Sequence, residues 1–555
     1  MVLLPLLVSN KMNVMRKQYK SLFITSFIAC GLLFAGCKKG WIDINYNPIQ
    51  LTENNATPDI ILPNLLISSQ SAVNEDWLQG LMGYWAYGEY PTGSPEIAYY
   101  PLDNTFIGSA TPDINIFLFE QNALRHDQPY YVGIAKALKA LQWSRAVDIN
   151  NNIPYGDVGK VEIRKPRYDD GRVVYEGLMK ELDEATTLIK GASQDKAIRI
   201  GIADIMFKGD KTKWVKFINT LKLRLLMHQA CRTDRAAYIQ AEIAKITAEG
   251  SGFLNSGEDA DVNPGYTDQK PASYFAKYSA FDIYARNYIQ IGGNWLPVWQ
   301  MASANVTAMN MLKENNDPRL AFFYGPARLP MPAGAAEPFT QPGPVEYRGN
   351  KLGLPADRLQ YPYQQTDYVS QVGGVRALRT AVSPASTGII KGYNMDSWII
   401  TSIESMFLQA EAVYRGWLPG DAETAYKAAV RESFRWLNVG GNSNTPALSD
   451  AIFNNWYTQE VANTKVSWAA APDKYKLLMF QKYMAFNGIE PFESWVDYRR
   501  NGAFPAIPLS YDPARTSDKM PIRLPYLVSE LLLNKENLLA QGTIDPFTSK
   551  IWWMP

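Results

Sequence analysis

Few residues in this chain are of the types that carry out chemistry. It holds two histidines, His126 and His228, and three cysteines, Cys30, Cys37 and Cys231. That inventory is too thin for a His-rich catalytic metal site, a four-cysteine zinc site or a disulfide framework. His228 falls on an apolar stripe one heptad after Leu221, which reads as a hydrogen-bonded core imidazole. His126 lies in a polar stretch before a helix and is assigned no chemistry. Asp148-x-Asn150-x-Asn152 has the opening spacing of a calcium loop. Ile153 and Gly159 then stand where the turn glycine and the bidentate glutamate are needed. No G-x-S-x-G, P-loop, HExxH or CxxC string stands out. We therefore expect no metal site and no cofactor, and no catalytic residue is singled out, although 54 acidic residues leave open a carboxylate pair for glycoside hydrolysis.

Aromatic rings are the remaining chemical resource, with 15 Trp, 32 Tyr and 22 Phe. A sugar ring has an apolar C–H face that a Trp or Tyr platform covers, while Asn, Asp and Tyr hydroxyls satisfy its polar edges. One aromatic cluster runs from Trp77 to Tyr100 and is broken into loop by Gly83, Gly88, Pro91 and Gly93. Its candidate ligand contacts are Tyr84, Trp85, Tyr87 and Tyr90. A second runs from Tyr274 to Trp299, with Tyr274, Trp295 and Trp299 as candidates. The same rings also read as core, because packed helix pairs bury aromatics.

These side chains need a scaffold, and the composition suits a large folded one: 46% hydrophobic and 20% charged. A balance of 55 basic against 54 acidic residues does not suit a uniformly basic nucleic-acid binder. Residues 1–36 read as a lipoprotein signal peptide. Arg16, Lys17 and Lys20 precede an apolar run from Ser21 to Phe34, which is too short for a comfortable membrane span. Small residues then lead to Cys37 in the order Phe34-Ala35-Gly36-Cys37, like a bacterial lipobox, so Cys37 is the expected lipidation site. Met15 is a plausible alternative start. Removing residues 1–36 takes away four basic side chains and no acid, so the mature chain is slightly acidic. Residues 37–57 read as a lipidated tether, and 58–555 as a single domain.

Within that domain we expect helices over about 58–250 and 397–540. Trp214, Phe217, Ile218, Leu221 and Leu225 recur at the helical period. Ile403, Phe407, Ala410 and Tyr414 make a second stripe that ends at Gly416. Pro419-Gly420 forms a turn, and Asp421 is placed to cap the next helix. This unit of about 38 residues is close to the 34-residue tetratricopeptide repeat. Glu411, among apolar neighbours, is expected to join a helix pair through a hydrogen bond or ion pair, or to contact a partner. Residues 251–395, rich in Gly, Pro, Tyr and Ser, form a long irregular insertion and the first candidate binding surface. The fold class is mainly α: tetratricopeptide-like helix pairs carrying a loop-rich insertion.

Six strings in order resemble the SusD/RagB family of outer-membrane nutrient-binding lipoproteins. Trp41-Ile42-Asp43-Ile44-Asn45-Tyr46-Asn47-Pro48 is similar to that family's opening motif. Asp148 to Asp157, containing Ile153-Pro154-Tyr155, resembles its D-x-x-G-D-I-P-Y segment, with Asn151-Asn152 in place of Gly-Asp. Trp214 to Arg224 and Ser405 to Ala412, the latter with Arg415-Gly416 and Gly420-Asp421-Ala422, match two helix signatures. Trp495 to Gly502, then Arg523-Leu524-Pro525-Tyr526 with Ser529-Glu530, Asn534 and Asn537, resemble its C-terminal strings. We read these hallmarks as fold determinants. Asp497 with Arg499 and Arg500 supplies pairing, and Ser529-Glu530 supplies a helix cap and an anion at a helix start. The resemblance implies binding without catalysis. It also implies a SusC-like TonB-dependent transporter as partner, capped by this chain as a lid, and a lipid-anchored, surface-exposed place on the outer membrane. The implied ligand is an oligosaccharide, with a peptide (as in RagB-like members) as the alternative and a lipoprotein glycosidase as a further one.

Overall fold

Asp170, Asp210, Thr401, Asp421 and Asp473 each sit just before a helix and accept a hydrogen bond from a main-chain N–H of its first turn. These caps satisfy donors that the helix itself leaves orphaned, and they set where the helices begin. The computed structural model describes residues 56–70, 76–86, 112–160, 162–266, 288–291, 294–297, 303–327, 347–354, 369–370, 372–373, 388–389, 391, 395–440 and 446–555. The first half of the body contains α1 (Pro58–Ser69), α2 (Asp76–Leu81), α3 (Asn115–Arg125), α4 (Pro129–Asn150), α5 (Gly171–Gly191), α6 (Lys211–His228) and α7 (Ala236–Glu249). The insertion contributes α8 (Val306–Glu314). The second half contains α9 (Ser402–Tyr414), α10 (Ala422–Trp436), α11 (Pro446–Gln459), α12 (Lys474–Ala485) and α13 (Pro491–Arg500). The protein is mainly helical, as the periodicity implies.

Successive helices pack as neighbours: α3 on α4, α4 on α5, α5 on α6, α9 on α10 and α10 on α11. Across the sequence, α9 packs on both α6 and α12. Helix α4 is buried on nearly every side, from Tyr130 to Asn150, as befits a helix at the centre of an array. Helix α5 buries a stripe of Val174, Leu178, Leu182, Ala185 and Ile189, and α4 crosses it at Gly133. A Cβ at Gly133 would lie 2.6 Å from Ile189 Cγ1 and 3.0 Å from the Ala185 carbonyl oxygen. Only glycine lets the two helices approach this closely.

Strands serve as short ties, each paired antiparallel. β1 (Trp85–Ala86) pairs with β7 (Ser303–Ala304), β2 (Ile153–Pro154) with β3 (Tyr168–Asp169), and β5 (Tyr288–Ile291) with β6 (Asn294–Pro297). β4 (Ala260–Val262) pairs with β8 (Ser397–Ile400), with a register shift between Ala260 and Asp261. Two details of the sequence reading change. Helix does not resume at Ser397: that segment is strand β8, and α9 begins at Ser402, where Thr401 caps it. The insertion also holds a regular nine-residue helix, α8, capped by Asn305 and burying Ala308, Met309 and Leu312.

Replacing Gly133 with Val should force apart the α4–α5 crossing and cost about 1–3 kcal/mol. Thermal unfolding of the purified variant checks this, and an unchanged midpoint would contradict the close-approach argument.

Candidate functional site

Two clusters of ionisable side chains lie inside the helical body. In the first, Arg224 of α6 forks onto Glu404 of α9, at 2.5 and 2.6 Å. One turn on, His228 Nε2 lies 2.9 Å from Glu493 Oε2 of α13. Its Nδ1 faces Asp148 Oδ2 at 3.3 Å and the Tyr175 hydroxyl at 3.0 Å. Asp148 also accepts from Tyr175 and, at 2.7 Å, from the Trp553 indole. Burial opposes a charge on His228, but the two flanking carboxylates outweigh it, and the imidazole is pushed up to about 9. Burial likewise disfavours charge on Glu493, and His228 and Arg224 overcome that and hold it well below the usual carboxylate range. His228 is only 2% exposed, so no substrate reaches it. The expected hydrogen-bonded core histidine is present, and its two carboxylate neighbours favour the charged form.

The second cluster answers the question posed by Glu411. Its carboxylate, fully buried on α9, takes both arms of Arg500 from α13 at 2.7 and 2.5 Å. Arg415 approaches at 2.8 Å and the Tyr475 hydroxyl donates at 3.1 Å. Asp497 pairs with Arg500 and Lys482. Arg499 instead donates to the carbonyls of Asp148 and Ile522. The Asp-Arg-Arg string therefore binds helices together, as its residue types suggest. Ser529 departs from expectation: its side chain caps nothing, while Glu530 accepts from the Tyr168 hydroxyl at 2.7 Å.

The aromatic candidates divide sharply. Tyr84 and Trp85 are 0% and 1% exposed. Tyr84 stacks on Tyr483 with centroids 4.7 Å apart, and its hydroxyl donates to the Tyr483 carbonyl. Trp85 lies in β1, paired with the insertion. Both rings are core in this structure, so they leave the set of ligand contacts. Gly83 and Gly88 around them read as loop in sequence, but Trp85 pairs with Ala304 of β7 and the Tyr84 carbonyl accepts from the Asn305 N–H. Trp295 lies on β6, of which only the backbone is described. Tyr87, Tyr90, Tyr274, Trp299 and the lipidation candidate Cys37 lie outside the described residues.

The described surface has a concavity that the sequence reading did not foresee. A pocket of about 220 Å³ is lined by Trp143, Tyr168 and Tyr526, with Ile114, Asn150 and Leu527 among its walls. Its construction explains two of the motif strings. Asn150 donates to the carbonyls of Leu524 and Pro525 at 3.1 and 3.2 Å, and the Tyr526 hydroxyl donates to the Asn152 carbonyl at 2.9 Å. Strings some 370 residues apart thus form one hydrogen-bonded seam, with the pocket beside it.

A family model described as "Starch-binding associating with outer membrane" matches residues 67–526, which include the Arg224–Glu404, His228–Glu493 and Glu411–Arg500 pairs. The chain belongs to this SusD-like family. Solved SusD-like structures share the fold. A SusD homologue from Bacteroides fragilis superposes with a TM-score of 0.65 at 19% identity, covering 90% of this chain and 99% of that one. A chitin-binding SusD homologue from Flavobacterium johnsoniae gives 0.64 at 20% identity, covering 90% and 96%. A SusD-like protein from Bacteroides thetaiotaomicron gives 0.60 at 20%, covering 88% and 98%. The comparison with curated proteins finds no match. Among the described residues no helix is long and apolar enough to cross a membrane. The SusD-like match ends at Tyr526, the residue that closes the seam.

The raised pKa of His228 sets the sign of a pH effect. Its contribution to stability is full below the unfolded value near 6.5 and is lost as pH rises through about 9. The wild type should therefore lose about 3 kcal/mol from this group between those values. His228→Gln should already be destabilised at pH 6.5 and change less with alkalinity. Denaturant unfolding at a series of pH values tests both, and parallel profiles for the two proteins would contradict the charged imidazole.

Proposed function

We propose that this protein is an outer-membrane lipoprotein that binds oligosaccharides at the cell surface and delivers them to a SusC-like TonB-dependent transporter, acting as its lid. The family match over residues 67–526 carries this reading, because that family is described by starch binding and association with the outer membrane. The chitin-binding protein of the same fold adds a second glycan to the class of ligands to test. Cys37 is the proposed lipid anchor and residues 37–57 the tether on which the lid swings. Ligand held between lid and transporter favours the closed state through its higher affinity for that state. The chain binds and does not turn over its ligand: the ionic clusters that resemble catalytic machinery are sealed in the core, and their charges are spent on one another.

The proposed ligand contacts are Tyr274, Trp295 and Trp299, with Tyr87 and Tyr90, as stacking platforms for pyranose rings. Calorimetry with starch-derived and chitin-derived oligosaccharides, beside a pool of peptides, tests the ligand class. Saturable glycan binding without product formation is expected. Binding confined to peptides would transfer the protein to the RagB-like alternative, and released sugars would make it a glycosidase. Trp295→Ala together with Trp299→Ala should weaken glycan binding about ten-fold or more, as loss of two stacking platforms does. Unchanged affinity would remove these rings from the site. For the anchor, Cys37→Ala should abolish acyl labelling, and continued labelling would overturn the assignment of Cys37.

A further inference from the structure

The pocket beside the Asn150–Tyr526 seam has a polar inventory that selects its ligand. The lining side chains that carry polar atoms are Trp143, Asn150, Tyr168, Tyr526 and Glu530, and the rest are aliphatic or proline. The Trp143 indole N–H donates to the Pro154 carbonyl at 3.2 Å, and the Tyr526 hydroxyl to the Asn152 carbonyl at 2.9 Å. The Asn150 amide donates to the carbonyls of Leu524 and Pro525. The Tyr168 hydroxyl donates to Glu530 Oε2 at 2.7 Å. Each side-chain donor of the lining is thus committed to the protein, and none belongs to a cation. An anionic guest would find neither a side-chain donor nor a positive charge in this lining. A neutral polyol would exchange its hydrogen bonds with water for few in return.

What the lining keeps for a ligand is one carboxylate and aromatic surface. Among the described residues Glu530 has the Tyr168 hydroxyl as its side-chain partner and no ion pair. A neutral donor leaves the negative charge unbalanced. Tyr168 and Tyr526 meet edge to face, with centroids 4.9 Å apart and planes at 75°, so they stand as two perpendicular walls. Trp143, 2% exposed, adds an indole. Arg523, outside the lining, lies 5.7 Å from the Tyr526 ring centre and donates to its hydroxyl. Tyr526 therefore already has a cation beside it, which leaves Trp143 and Tyr168 as the rings for another. The faces of such rings attract cations, and more strongly where water is excluded.

The pocket's volume of about 220 Å³ is below the ~300 Å³ at which pockets take drug-sized molecules, so its guest is one small group. We infer that this pocket binds an organic ammonium, a small cationic group whose hydrocarbon lies against Trp143 and Tyr168 and whose charge faces Glu530. A quaternary amine and the protonated amine of an amino sugar share that chemistry. None of the proposed glycan contacts lines the pocket.

The test is titration calorimetry on the whole protein, below neutral pH and at fixed ionic strength. The probes are choline, its uncharged isostere 3,3-dimethylbutan-1-ol, glucosamine and N-acetylglucosamine. Choline should bind saturably, with a dissociation constant on the order of 1 mM, and the isostere about ten-fold more weakly. Glu530→Gln removes the charge and keeps an acceptor for the Tyr168 hydroxyl. It should unfold like the wild type and bind glycan within about two-fold of it, while its affinity for choline falls about ten-fold, to that of the isostere. Glucosamine binding more tightly than choline would place the ammonium on a sugar, and the reverse order on a quaternary amine; either supports the site. Three outcomes would each overturn it: an isostere that binds as tightly as choline, N-acetylglucosamine that binds as tightly as glucosamine, or a Glu530→Gln protein that keeps wild-type affinity for both ammonium probes. Absence of saturable binding by either ammonium would also overturn it and leave the function proposed above standing.

Discussion

A charge taken out of water must meet its counter-charge at hydrogen-bond distance, and this requirement organises the helical body. Glu404, Glu411, Glu493 and Asp148 are all buried on helices. Each is answered from another element: Arg224 for Glu404, Arg500 for Glu411, and His228 for both Glu493 and Asp148. Such pairs add little net stability compared with a well-packed apolar core, but losing one member leaves a charge stranded and is costly. Their effect here is register. Arg224 and His228 stand one turn apart on α6, so satisfying both fixes where α9, α13 and the end of α4 lie along it.

That arrangement separates holding the fold together from holding a ligand. The acids, the arginines and the histidine that would suggest catalysis are used between helices, and their surroundings exclude water. The pocket beside Asn150 and Tyr526 is different, because it is open and lined by Trp143, Tyr168 and Tyr526. The strings that resemble the family's hallmarks are the places where distant parts of the chain are tied together, as at Asn150 with Leu524 and at Glu411 with Arg500.

Features set by neighbours in sequence were legible before any coordinates. Asp421 caps α10 as its position suggests, because a cap depends only on the next three residues. The stripe Trp214, Phe217, Ile218, Leu221 and Leu225 is wholly buried, and the period alone implies it. Glu411 among apolar residues had to find a partner, although nothing local says that the partner is Arg500. Features decided by distant chain were not legible. β8 reads as helix until β4 pairs with it, and Tyr84 and Trp85 read as loop until β7 draws them into the core. Ser529 has the residue type of a cap but not the geometry. The pocket was invisible because its walls come from the turn before α3, from α4, from β2 and β3, and from the segment after α13.

The sequence separation of the buried contacts has a consequence for how the chain is made. Asp148 receives the indole of Trp553 from 405 residues away, and His228 meets Glu493 from 265 residues away. A chain emerging from its N-terminus reaches α4 and α6 long before those partners exist. Until then Asp148 and His228 have each other and Tyr175 but lack the partners that complete the cluster. Non-local closure of this kind makes folding slow. For the exported lipoprotein proposed above, slowness is an advantage: a body whose buried charges are completed only by its last segments closes late.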